Sequence, residues 1–256
     1  MLHQHFVIIL PFISIYFNLY FPLIRVIILS IMGKLINKNN RLQTSETFFL
    51  SSILAISGGF QDAYTYDVRD MVFSNAQTGN VVLMSQDLMT GNLSAVPRYI
   101  IPVLAFALGI IITEQMEHYL KSMKKLHWRQ LILLVEIITL FAVGFIPTSA
   151  NIFATVLVSF SCAMQVQAFR KVNGFAYAST MCIGNLRSGT ESLSAYIRDH
   201  DKKRLFKAFH YYGIIFLFAI GAGLGGVFST ALGVPAIWMS CGLLIFAFLL
   251  MTKERI

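Results

Sequence analysis

The sequence predicts an all-α, polytopic helical membrane protein. It would have six spanning helices, two re-entrant or broken helical segments and two inverted structural repeats. Three observations lead there. Hydrophobic residues make up 56% of the 256 and charged residues only 12%, about half the charge of a soluble domain, and mean hydropathy is +0.68. The apolar residues lie in long runs and do not alternate with polar ones, as spans require. Two polar stretches inside those runs look like copies of each other. The first is Gly59-Phe-Gln-Asp-Ala-Tyr64 with Ser74-Asn-Ala-Gln-Thr-Gly-Asn80; the second is Met164-Gln-Val-Gln-Ala-Phe169 with Ser179-Thr-Met-Cys-Ile-Gly-Asn185. One offset of 105 positions superposes Ala63 on Ala168, Asp62 on Gln167 and Gly79-Asn80 on Gly184-Asn185.

From residue 48 onward the apolar segments run roughly 48–66, 71–89, 99–117, 131–147, 151–169, 174–196, 209–231 and 233–251. If all of them cross, with the N-terminus inside, eleven basic residues fall inside and seven outside. If 71–89 and 174–196 instead dip in and return on the same side, sixteen fall inside and only Arg69 and Arg98 outside. The second arrangement fits the positive-inside rule far better. The two demoted segments are also the most polar. Irregular backbone is tolerated at membrane depth only within protein or beside a watery cavity. Each half then crosses three times, so the second half is inverted relative to the first. Repeat one covers about 48–147 and repeat two about 151–251, within a single membrane domain over 32–256. Residues 1–31 form an apolar N-terminal extension. It is either an extra span or sequence ahead of a natural start at Met32. It makes a poor signal peptide, because no basic region precedes it and no small-residue cleavage site follows.

The repeated motif supplies the candidate site. Gly79 and Gly184 permit torsions or close approaches that other residues resist. Asn80 and Asn185 are placed to cap the helices that follow, whose positive ends would point at the membrane centre. Thr78 and Arg187 flank the two Gly-Asn pairs. Asp62, beside Gln61, lies within the first span, where a charge costs roughly 2.5–3.5 kcal/mol and needs an interior partner; Arg187 is one candidate. Gln165 and Gln167 hold the matching place in the second half and cannot titrate. The plainer reading of these amides is glue between crossing helices. Glu136, Glu114 and Glu117 read as snorkelling or cytoplasmic acids, with Glu191 in the second dipping segment.

Several chemistries find no support. Gly221-Ala-Gly-Leu-Gly-Gly226 matches GxGxxG but sits inside an apolar span, where close helix packing explains it. Cys162, Cys182 and Cys241 are isolated, so neither a metal site nor a disulfide framework is indicated. No catalytic constellation and no cofactor motif is found. The net charge of +8 lies in short loops flanking apolar runs, where it orients spans and meets lipid head groups. A nucleic-acid partner would need a basic face.

The order of apolar segments, Gly59-Phe-Gln-Asp-Ala63, the Thr78-Gly-Asn80 element and its weaker second copy resemble the YoaK-like family of uncharacterised bacterial integral membrane proteins. The resemblance covers about residues 45–250. The second copy departs from the first by placing Ile183 where Thr78 stands. The resemblance implies a membrane location and supplies no activity. Together with the repeat it leads to the expectation of a bacterial inner-membrane, multi-pass transporter or channel with a cytoplasmic C-terminus. The cargo would be a small polar or anionic solute. The alternative is a non-transporting scaffold or a subunit of a larger membrane complex. The expected partners are membrane lipid and that solute, with homo-oligomerisation left open and no enzymatic activity.

Overall fold

The computed structural model describes residues 44–121 and 127–252. The extension at 1–31 and the choice between an extra span and a start at Met32 lie outside the described residues. Eight α-helices follow one another among those that are described. They are α1 (Phe48–Val68), α2 (Gln77–Met89), α3 (Val96–Leu120), α4 (Trp128–Val143), α5 (Asn151–Ala168), α6 (Cys182–Asp199), α7 (Lys202–Leu232) and α8 (Ile237–Thr252).

The helix ends follow local chemistry. Thr47 caps α1 by accepting from Leu50 N, and Asp201 caps α7 by accepting from Lys203 N. That second cap carries helix through the basic run 202–207, so α7 begins well before the apolar stretch at 209–231. His127 and Gln130 form a reciprocal capping box on α4. Between α5 and α6 lies an antiparallel hairpin, β1 (Lys171–Val172) with β2 (Phe175–Ala176). Its turn residues Asn173 and Gly174 both have positive φ, which is the Asn-Gly hairpin chemistry. The apolar segment expected from 174 therefore starts as a hairpin and becomes helical only at Cys182. The all-α expectation holds apart from this.

Four segments are long and apolar enough to cross a membrane: Val96–Leu120, Thr148–Ala168, Lys202–Leu232 and Val234–Thr252. Their outer faces carry exposed Leu104, Leu108, Ile111, Phe153, Phe216 and Val227, an apolar exterior that suits lipid. α2, at 13 residues, spans only about 20 Å against an apolar layer of about 30 Å. α6 has the length but is polar along much of it, with Arg187, Ser188, Thr190, Glu191 and Ser192. α1 has 21 residues interrupted by Ser51, Ser57, Gln61, Asp62 and Thr65. α4 is apolar but only 16 residues long.

Packing is reciprocal. α1 lies along α7 as α5 lies along α3, α1 meets α8 as α5 meets α4, and α4 and α8 meet each other. The main apolar core joins Leu54, Ile132, Leu133, Val158, Cys162 and Leu244. At the α1–α7 crossing the backbones touch: a Cβ on Gly59 would sit 2.1 Å from Phe218 O, and one on Gly221 2.1 Å from Ile56 O. The GxGxxG stretch is thus a packing surface, as small residues at membrane crossings usually are. Gly109 does the same for α3 against Phe160 O of α5, at 2.5 Å.

Gly221→Val should force α1 and α7 apart and cost about 1–3 kcal/mol as overpacking does. Gly223→Ala, whose added Cβ has open space around it, should leave stability unchanged. Thermal unfolding of the two variants in detergent checks the contrast.

Candidate functional site

The site grows from the way two chain segments turn back on themselves. After α1 ends at Val68, Asp70 and Met71 adopt left-handed φ values of 61° and 56°, which reverse the chain sharply. Ser74 and Asn75 thereby return to Asp62, two turns back on α1. Asp62 Oδ1 accepts from Ser74 Oγ at 3.0 Å and from Asn75 N at 2.6 Å. The carboxylate sits just ahead of the first turn of α2, where a helix N-terminus favours negative charge.

Asn80 and Asn185 do not cap their helices as expected. α2 begins at Gln77 and α6 at Cys182, so each asparagine lies inside the first helical turn and its amide reaches back seven residues. Asn80 Oδ1 accepts from Phe73 N at 3.0 Å, and its Nδ2 donates to Phe73 O at 2.7 Å. Asn185 makes the same pair of bonds to Ala178, at 3.4 and 2.7 Å. Each amide takes the place of a neighbouring strand, satisfying both backbone groups of a residue in an irregular loop. Gly79 is fixed by a close approach, since a Cβ there would meet the Phe73 ring at 2.9 Å. Gly184 has no such neighbour within 4 Å.

The counterpart of Asp62 is Gln165, and Gln167 does not take that place. Gln165 reaches Ser179 Oγ at 3.1 Å, the same helix-to-loop contact that Asp62 makes with Ser74. The connecting loop is longer in the second half, so a single offset fails across it. Gln167 instead donates to Glu114 Oε1 at the surface, where Glu114 and Glu117 also pair with Arg170 at 3.3 and 3.5 Å. Asp62 and Arg187 are not a pair: Arg187 is exposed on α6 and forms no ion pair among the described residues.

Glu136 is the largest departure from expectation. It does not snorkel; it is 0% exposed. α4 turns that face toward α1, α5 and α8, not toward lipid. Gln61 Nε2 donates to Glu136 Oε1 at 3.1 Å and lies 3.0 Å from Ser57 Oγ and 3.1 Å from Ser240 Oγ. Ser57 and Ser240 bond each other at 2.7 Å, and the Cys162 thiol donates to Gln61 Oε1. Periodicity gave a usable signal here. Glu136 is the lone acid of α4, set among apolar residues, and such an acid faces the bundle interior by default.

Arg69, which the charge count places on the outer side, also lies within the protein. It is fully buried. Its guanidinium bonds Tyr64 Oη at 2.8 Å, Val143 O at 3.0 Å, Ile146 O at 2.9 Å and Asn151 Oδ1 at 3.0 Å. It closes the C-terminal carbonyls of α4, where a cation is favoured.

Between the two loops lies a cleft of about 910 Å³. Asp62, Tyr66, Asp67, Phe73 and residues 75–78 line it from the first motif, and residues 180–184 from the second. α3 adds Val103, Phe106 and Ile110, and α7 adds Phe218 and Ala222. Both α2 and α6 begin at this cleft without a side-chain cap. Asn75 Oδ1 and Thr180 Oγ1 have no hydrogen-bond partner among the described residues, although the residues are only 4% and 5% exposed. Of the expected site residues, the structure brings Asp62, Thr78 and Gly184 to the cleft. Gly79, Asn80 and Asn185 act as its supports. Gln61 and Gln165 lie in the polar cluster with Glu136, and Gln167 and Arg187 lie outside both groups.

A helical protein with four membrane-capable helices and two polar loops meeting at a cleft fits the class of integral membrane proteins. More narrowly, residues 50–250 match the family described as "Protein of unknown function (DUF1275)". The chain belongs to that family, with which the YoaK-like resemblance agrees. No curated protein and no solved structure matches the chain.

Asn80→Ala should cost about 1–3 kcal/mol, because two backbone groups of Phe73 lose their partners. Asn80→Asp should restore only the acceptor half and fall between the two. Thermal unfolding of wild type and both variants in detergent reads the order.

Proposed function

We propose that this protein is a transporter or channel for a small polar solute in a bacterial inner membrane, and that the cleft between the two motif loops is its solute site. The single observation that carries the reading is the meeting of both polar motifs at one cleft. A transporter binding site at the junction of two repeats has that form. A scaffold would be served by a filled centre. The cleft follows the usual composition of ligand sites, with aromatic and aliphatic walls and a few convergent polar groups.

The reciprocal packing of α1 with α7 and α5 with α3 supports two structural repeats. With α1 and α4 counted as crossings beside the four longer helices, each repeat crosses three times, and the repeats are inverted. α2 and α6 then enter from opposite faces, and the C-terminus is cytoplasmic. Reporter fusions after Leu93 and after Asp201 test this: the first should report outside and the second inside, and both on one side would refute the inversion.

The lining favours a neutral or cationic solute over an anionic one. Asp62 and Asp67 are the carboxylates at the cleft wall, with Asn75 Oδ1 as a spare acceptor. The positive end of α2 is already met by Asp62. In proteoliposomes, capacitive currents after rapid exchange into small amines, amides, polyols and carboxylates would identify the solute. Asp62→Asn should abolish the response in a folded, correctly inserted protein. An undiminished response in both Asp62→Asn and Asn75→Leu would overturn this assignment of the site.

A further inference from the structure

Beneath the cleft lies a carboxyl group that the solute site does not use. Glu136 is fully buried, and no Lys, Arg or His forms an ion pair with it among the described residues. The groups that face it are neutral hydrogen-bonding partners. α1 presents Gln61, with Ser57 and Ser240 beside that amide. α5 presents Gln165, with the Cys162 thiol against Gln61. α8 presents Ser240 and Cys241, the latter bonded to Ile137 O of α4. Asp62, the next residue after Gln61, is engaged by Ser74 and Asn75. On α3, Glu114 and Glu117 are engaged by Arg170 at the surface.

The Gln165 amide fits this setting in two ways that share the same atom positions. In one, its nitrogen donates to Glu136 Oε1 and Oε2 at 3.2 and 3.3 Å, and its oxygen accepts from Ser179 Oγ at 3.1 Å. That arrangement suits Glu136 as a carboxylate, which accepts at both oxygens. In the other, its nitrogen donates to Ser179 Oγ at 3.1 Å and to Leu54 O at 3.4 Å, and its oxygen faces Glu136. Two oxygens face each other there unless Glu136 carries a proton and donates. An amide has an acceptor and two donors, and hydrogen-bond satisfaction decides between its orientations. The carboxylate thus favours one orientation of Gln165 and the protonated acid the other, and the exchange reverses the role of the Ser179 hydroxyl.

We propose that Glu136 is a proton-binding site, and that the Gln165 amide relays its occupancy to the loop at Ser179–Cys182 that walls the cleft. When the site fills, one O–H bond forms on a Glu136 oxygen with a proton from hydronium, which is left as water. When it empties, the proton returns to water, and no electron moves. Protonatable carboxyls facing a bundle interior are the usual elements of proton coupling in membrane proteins, and a two-state element is what a coupling mechanism requires. The inference rests on the transport reading only in making the proton a coupling ion. Proton binding and amide reversal stand without it.

The test uses the full chain in lipid nanodiscs and needs no solute. Infrared difference spectra across a pH titration should show a protonated-carboxyl band that shifts when glutamate carboxyl carbons are isotope-labelled. The band should be lost in Glu136→Gln and kept in Asp62→Asn. Hydrogen exchange of segment 177–186, corrected for the intrinsic pH dependence of amide exchange, should change over the same pH range. That change should vanish in Gln165→Leu while the carboxyl band remains. A band that survives in Glu136→Gln, or that ignores the glutamate label, overturns the proton site. Loop exchange that follows pH equally in Gln165→Leu overturns the relay. If Glu136→Gln does not fold, the isotope label and Gln165→Leu decide both points in otherwise native protein. Loss of solute currents with these signals intact would count against the transport reading alone.

Discussion

Backbone that leaves a helix inside an apolar bundle must find a partner for every group it exposes, and the rest of this structure is organised around that constraint. Lipid offers no hydrogen bonds, and each unmet amide or carbonyl costs several kcal/mol. Asn80 and Asn185 meet the requirement in the same manner, each bracketing both backbone groups of the residue seven positions before it. Asp62 and Gln165 complete it by reaching from α1 and α5 to Ser74 and Ser179. The loops are thus held in place by four side chains with amide or carboxylate ends, and the helices α2 and α6 start where those side chains leave them.

This arrangement couples local chemistry to global packing. Asp62 and Gln165 must stand at fixed heights for their loops to be held, and the heights are set by how closely α1 and α5 approach their neighbours. Glycines at the crossings set that approach: Gly59, Gly221 and Gly225 on one side and Gly109 on the other bring helix backbones into contact. Backbone contact of this kind is the means of tight helix association where no hydrophobic effect operates between helices. The cleft is the space left between the two held loops, bounded by α3 and α7. Its walls are therefore a consequence of the same crossings that hold the fold.

Below the cleft, polar side chains replace apolar packing at the centre of the bundle. Gln61, Glu136, Ser57, Ser240 and Cys162 satisfy one another from four helices. Such a network in a low-dielectric setting ties its members to one geometry, since a lost partner leaves a costly buried group. Because Gln165 joins this network to Ser179, the centre of the bundle and the second loop are physically continuous.

Much of this was legible in the chain itself. The apolar runs, the helix-packing reading of Gly221–Gly226 and the duplication of the Gly-Asn motif needed only composition and spacing, because lipid exposure and close crossings demand particular residue types. The motif also marked the loops that line the cleft. Four decisions belonged to the tertiary structure. Glu136 turned inward because α4 presents that face to three helices, which a helix read alone cannot show. Arg69 is buried because the end of α4 comes within its reach, so its charge serves as a cap. Gln165 displaced Gln167 as the partner of the second loop because the connecting segment there is longer and includes a hairpin. The asparagines bind back across their loops and do not cap forward, since that choice depends on where the returning chain passes. Spacing fixes which residues are available; the path of the neighbouring backbone decides which of them meet.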